Sequence, residues 1–342
     1  MKLLIDGGSI FKRYFFAIYK IDLNRDLSYY DEIDITEFYD GVISTINSLK
    51  NRFYIPLNRV FITEDVRVDN RYWRHFIYDK YKNRKLKVVN DKNVKRAEHM
   101  GYIMSLYEKH FNILKNSILK DMVNFIGYDY LESDDIIYIL TKYSDDKTVV
   151  VSNDKDLKQI CLNKNGIFYS TIEKTVIDNF NKKDLIKHII LGDSADTIPS
   201  IFAETSFSSA FIEFLEENGI KYTSVYDISK LDIFKKLKKE FLIKYKDKKI
   251  YDRSPYKIGR VKLEKDLDNI LNMIKSDRLL SDHLLRNSML IDFENIPKYY
   301  VKPVVDIYNG FSKRLISDID IARLDGMRER VGINRTLHSL FS

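Results

Sequence analysis

The 342 residues suffice for two domains, or for one domain with a large extension. With 44% apolar and 31% charged residues the chain can bury a sizeable core, and no run of about 18 uncharged apolar residues offers a transmembrane helix. The net charge of +7 favours an anionic partner such as nucleic acid, and the single cysteine, Cys161, excludes a disulfide within the monomer and points to a reducing cytoplasm.

The chain opens on KLLIDGG, residues 2–8, an apolar run stopped by an acid and two glycines. It reads as a buried strand ending in a loop. It does not read as a signal peptide, because Asp6 interrupts the apolar run and no small-residue cleavage site follows. Residues 35–53 have helical spacing, and RVFITED, residues 59–65, is a second buried strand stopped by acids. Residues 102–131 read as one or two helices ending near Gly127, and residues 134–144 as a further helix. A third strand, Thr148 to Val151, carries Asp154 and Asp156 beyond its tip. GIFYST and KTVID resemble a hairpin, and residues 182–201 a helix followed by an acidic loop. Strands alternating with helices predict an α/β domain with a mostly parallel central sheet flanked by helices, whose ligands bind outside the carboxyl ends of the strands. After about residue 200 the pattern is mostly helical, with a Lys-rich segment at 235–249 and a tail without a clear periodic face. The domains expected are thus 1–200 and 201–342.

Each strand end carries acids. Asp6, Asp65, Glu132, Asp134, Asp135, Asp154, Asp156, Asp193 and Asp196 are the candidates, and the sheet would bring most of them to one edge. Clustered carboxylates repel unless some take up protons or a cation sits among them. An oxygen-only set without Cys or His ligands favours Mg²⁺, with Mn²⁺ as a substitute, over Zn²⁺. Two such ions about 4 Å apart suit phosphodiester hydrolysis. For any one of these acids, such as Asp134, Asp135 or Asp156, the helix N-cap is the favoured reading; the ensemble favours metal.

Residues 67–87, RVDNRYWRHFIYDKYKNRKLK, hold eight Lys or Arg and two Asp. Arg71, Arg74, Lys82, Arg84 and Lys85 offer cations for phosphate, and Tyr72, Trp73, Tyr78 and Tyr81 offer rings for base stacking. Arg74, Tyr78 and Lys82 fall on one face if the segment is helical. The alternative is a solvated basic helix with its rings in the core. Cys161, His99, His110 and His188 carry no metal-ligand spacing and read as structural.

LLIDGGS, YWRHFIYDKYKNRK, ESDD, SNDKDLKQI and GDSADTIP, in that order, resemble the 5′ nuclease or flap endonuclease family, and within it the ribonuclease H branch of T-even phages. MLIDFENIP extends the likeness toward residue 310. The resemblance implies a PIN-like core with a smaller helical DNA-binding domain. It implies a first metal set of Asp6, Asp65, Glu132 and Asp134, and a second of Asp154, Asp156 and Asp196 with Asp193 and Asp135 nearby. It implies that Arg74 and Lys82 are catalytic, from an arch over residues 67–96 that contacts the scissile phosphate. It further implies a monomeric phage protein in the host cytoplasm, acting on 5′ flaps and RNA–DNA hybrids in replication, with a sliding clamp or single-strand-binding protein as partner. The chain departs from the family at SIFAETSFSSAF, residues 200–211, where a glycine-bearing helix–hairpin–helix is usual. A PIN-type single-stranded RNA endonuclease and a catalytically silent DNA-binding protein are the rival readings.

Overall fold

The structure, a computed structural model, describes residues 1–82, 91–202, 240, 258 and 260–311. Arg84, Lys85, the Lys-rich segment apart from Glu240, the departure at 203–211 and the C-terminal tail lie outside the described residues. Packing divides the chain into two compact units. The first takes Met1–Tyr72, Lys85–Phe180 and Pro297–Ser342, the second Trp73–Arg84 and Asn181–Ile296. These units cut the chain differently from a single boundary at residue 200.

In the first unit, β1 (Lys2–Asp6), β2 (Val60–Thr63), β3 (Asn124–Ile126), β4 (Thr148–Val151), β5 (Gly166–Ser170) and β6 (Thr175–Ile177) form one sheet in the order β3-β2-β1-β4-β5-β6. All pairings are parallel except β5 with β6, the expected hairpin. Continuous apolar runs such as LLI and VVV suit strands covered on both faces. Side chains alternate along each strand, so Leu3, Ile5, Val60, Ile62, Val149 and Val151 share one core with α1 (Gly7–Ile18), α2 (Thr36–Arg52) and α3 (Asp91–Leu114). On the opposite face lie α5 (Ser133–Tyr143) and the late helix α9 (Val301–Phe311), with Phe61 against Tyr308 at 5.0 Å between ring centres.

Two elements differ from the sequence expectation. The glycines after Asp6 open α1 rather than a loop, with Asp6 as its N-cap accepting from the Ser9 amide at 3.1 Å. Gly7 is required by closeness: a Cβ there would stand 2.8 Å from Ile62 Cγ2 and 3.2 Å from the Thr63 carbonyl. The segment expected to be helical to Gly127 passes through a π turn (Lys115–Leu119) and a single turn α4 (Lys120–Met122), then ends in β3. Three residues at the end of a long helical pattern leave no period-2 signal to read.

In the second unit, α6 (Lys182–Leu191) starts from an Asn181 and Asp184 capping box and stops at Gly192, whose φ is +70°. Its Ile190 packs with Ile201 and Phe202, with Leu263, Ile270 and Ile274 of α7 (Arg260–Ser276), and with Leu280 of α8 (Arg278–Ile291). Asn287 Nδ2 donates to the Ile189 and Pro199 carbonyls at 3.0 and 2.8 Å, fixing the chain that follows α6. Among the described residues no helix is long and apolar enough to cross a membrane.

Candidate metal centre

The parallel register gathers the strand tips. Asp6 lies beside Thr63, and Ile5 beside Val151, so the residues after β2 and β4 flank Asp6. Asp6 is buried and fully engaged. Its Oδ1 accepts from Ser9 N at 3.1 Å and Ser133 Oγ at 3.3 Å, and its Oδ2 accepts from Ser152 Oγ at 2.7 Å. Burial pushes its carboxyl up to about 6, and the charges of Asp65 and Asp154 push the same way; the Ser152 and Ser9 hydrogen bonds oppose this without cancelling it.

The neighbouring acids connect to Asp6 through the same two residues, Ser133 and Ser152. The Ser133 amide donates to Asp65 Oδ1 at 2.9 Å, while its hydroxyl reaches Asp6. Ser152 Oγ also accepts from the Asp154 amide at 3.0 Å, and Asp154 Oδ1 accepts from the Asp156 amide at 2.9 Å. Glu132 and Asp135 form a reciprocal capping box at the start of α5, with the Glu132 amide donating to Asp135 Oδ2 at 3.1 Å. The helix-cap reading therefore holds for Glu132 and Asp135. Asp134, half-buried, is the first-turn acid beside them. Glu64 is paired with Lys115, whereas the adjacent Asp65 joins the Ser133 network.

A divalent cation fits this donor set. Gly8 lacks a side chain where one would enter: its Cβ position lies 3.6 Å from Asp6 Oδ1 and 3.9 Å from Asp65 Oδ2. Two carboxylates thus approach one point, their donors are oxygens, and the more buried acid is held above its usual range. Hard, oxygen-preferring ions relieve that condition. Lys12 Nζ, 3.9 Å from the same point, was not anticipated from the sequence. The three serines were missed as well; the signal available was their position beside acids in DGGS, ESDD and SND.

The remaining described candidates lie in the second unit, except Arg71 and Tyr72. Asp193 is buried, with Oδ2 3.1 Å from His188 Nε2 and Oδ1 accepting from the Ala195 amide at 2.6 Å. Asp196 accepts from Tyr81 Oη at 3.2 Å and faces Lys82 Nζ at 3.8 Å, while its carbonyl accepts from the Lys82 amide at 2.9 Å. The expected helix over Arg74, Tyr78 and Lys82 does not form. Trp73–Phe76 is a single 3₁₀ turn, and Lys82 has a φ of +50°. Arg74 is 2% exposed; its Nε donates to the Leu290 carbonyl at 2.8 Å and its guanidinium lies 4.6 Å over Trp73. Tyr72, Trp73 and Tyr81 are buried, which removes them from the expected stacking set and matches the alternative of rings in the core. Tyr78 is half-buried beneath Arg286, and Phe76 and Arg71 are exposed.

Comparison with known proteins places the chain. Residues 1–189 match the family model described as 5′-3′ exonuclease, N-terminal resolvase-like domain. None of the curated protein sequences matches significantly. Among solved structures, bacteriophage T5 5′-exonuclease with bound zinc ions aligns at a TM-score of 0.50 and 13% identity, covering 91% of this chain and 97% of that one. A T5 flap endonuclease in a pseudo-enzyme-product complex with DNA and metal ions aligns at 0.47 and 14% identity, covering 94% and 98%. The first of these likenesses supports the fold: a mostly parallel sheet with flanking helices and a helical C-terminal region. The family match spans more than half the chain and sets aside the silent-binder reading. The chain belongs to the 5′-3′ exonuclease family and is an enzyme of the nuclease class.

Proposed function

We propose that the chain is a divalent-metal-dependent 5′ nuclease that removes RNA primers and 5′ flaps during DNA replication. The observation that carries the reading is the position of Asp6, joined through Ser133 (hydroxyl to Asp6, amide to Asp65) to Asp65 and through the Ser152 hydroxyl to the Asp154 loop. Asp6, Asp65, Glu132, Asp134, Asp154 and Asp156 would hold Mg²⁺, with Mn²⁺ as a substitute. The motif likeness alone adds Asp193 and Asp196. When bound, such ions supply an activated water and neutralise charge on the phosphate.

The chain's own part is to hold its carboxylates fixed. Ser9, Ser133 and Ser152 keep both Asp6 oxygens oriented, so little reorganisation is needed when charge develops. Lys82 is held beside Asp196, and a substrate phosphate would exchange one anion for another at that ammonium. Arg71, Tyr78 and Lys82 are the described residues of the basic segment proposed to meet nucleic acid, while Arg74 is packed against Trp73 and the Leu290 carbonyl. The excess of positive charge suits a DNA or RNA–DNA partner.

Cleavage of 5′-labelled flap and RNA–DNA hybrid substrates, with and without Mg²⁺, tests the reading. Mg²⁺-dependent release of short products from both supports it. Cleavage confined to free single-stranded RNA would point instead to a PIN-type ribonuclease.

A further inference from the structure

The buried hydroxyl of Ser133 is not demanded by its helix. Ser133 is the first residue of α5, whose N-terminus is capped by Glu132 and Asp135, and alanine would serve helix geometry there. A hydroxyl 3% exposed must nevertheless find partners. Its two are Thr63 Oγ1 at 2.6 Å and Asp6 Oδ1 at 3.3 Å.

Proton accounting sets the direction. Asp6, when ionised, can only accept. The Ser133 proton satisfies it, which leaves Ser133 Oγ to accept from Thr63. The other acceptor open to Thr63, the Ile5 carbonyl, stands farther off at 3.3 Å. The result is a chain of donors, Thr63 to Ser133 to Asp6, in which each bond polarises the next. The Ser133 amide meanwhile holds Asp65 at 2.9 Å. One residue thereby ties together two carboxylates, one at the end of β1 and one just beyond β2, that both approach Gly8.

We infer that Ser133 is a positioning residue of the metal centre, its hydroxyl fixing Asp6 for divalent-cation binding with Thr63 as the relay behind it. The inference rests on the proposed metal-holding role of Asp6 and deepens it. Partners in the shell behind metal ligands typically govern affinity by about 10- to 100-fold.

The test is calorimetric titration of Mn²⁺ into the full chain, as wild type, Ser133→Ala and Asp6→Asn, beside melting of each protein without metal. Ser133→Ala is expected to melt near the wild type without metal, yet bind Mn²⁺ about tenfold more weakly. The Mg²⁺ concentration for half-maximal cleavage should rise in parallel, with KM for nucleic acid unchanged. Unaltered Mn²⁺ affinity in folded Ser133→Ala would overturn the inference and leave the Asp6 site standing. Wild type and Asp6→Asn binding Mn²⁺ alike would instead overturn the metal reading beneath it. If Ser133→Ala fails to fold, Thr63→Val replaces it, with weakened Mn²⁺ binding expected and wild-type affinity contradicting the relay.

Discussion

Asp134 shows how far a single residue can be read. Its spacing from Glu132 marks it as a metal candidate, and its place in the first turn of α5 marks it as a helix-stabilising acid. Asp134→Asn separates the two roles. Loss of one dipole-facing charge costs a few tenths of a kcal/mol to about 1 kcal/mol, whereas loss of a ligand removes several kcal/mol of charge stabilisation, on the order of a 1000-fold drop in rate. Cleavage assays beside thermal melting should therefore show a nearly inactive protein of nearly unchanged stability. Lys2 gives a second residue-scale prediction. It is fully buried, donates to the Leu140 carbonyl at 2.9 Å and to Ser144, and lies 4.2 Å over the Tyr308 ring. Burial lowers its ammonium to about 7 from 10.5, with Asp146 opposing and Arg59 assisting. Between those values the unfolded chain binds a proton that the folded chain does not, so this residue's contribution to stability rises with pH from about 7 to 10.5 and is flat below. Denaturant titrations across that range should show the slope in wild type and its loss in Lys2→Met. Asp6 acts in the opposite sense: its raised carboxyl favours the fold at low pH, and that contribution is lost as pH rises from 3.8 toward about 6.

At the scale of elements, legibility followed the length and regularity of the pattern. β1, β2 and β4 are uniformly buried runs, and the acids at or beyond their ends marked the candidate metal edge. α1 was hidden because two glycines ordinarily signal a turn; here Gly7 is needed for the approach of α1 to β2. Gly7→Ala should thus destabilise the fold by about 1–3 kcal/mol, the usual cost of overpacking, against the gain expected of Gly→Ala in an open helix. Urea unfolding checks the sign. The basic segment was ambiguous for a physical reason: rings interleaved with cations suit both stacking on bases and packing in a core, and burial of Tyr72, Trp73 and Tyr81 decides for the core. α9 could not be tied to the sheet from sequence, since nothing local shows that Tyr308 donates to Asp146 Oδ2 at 2.5 Å beside the Arg59 ion pair. Tyr308→Phe should cost about 1–2 kcal/mol by loss of a charge-assisted hydrogen bond, measured by the same unfolding curves.

For the molecule as a whole, the sequence motifs in their order identified the family, while the packing units interleave in a way that order does not reveal. Segments 73–84 and 181–296 pack as one unit, and the chain returns to the first unit at Pro297. The candidate site was legible where chemistry is written in residue type, as with acids at strand tips, and illegible where it depends on which hydroxyl a distant segment presents, as with Ser133 and Ser152. The proposed chemistry requires a cation seated among carboxylates that approach from β1, β2 and the start of α5. Anomalous diffraction from Mn²⁺-soaked crystals locates it directly. The expected result is a peak beside Gly8, about 2.1 Å from oxygens of the acidic set that includes Asp6 and Asp65. Full Mn²⁺ occupancy elsewhere on the protein, with no density at Asp6, would contradict it.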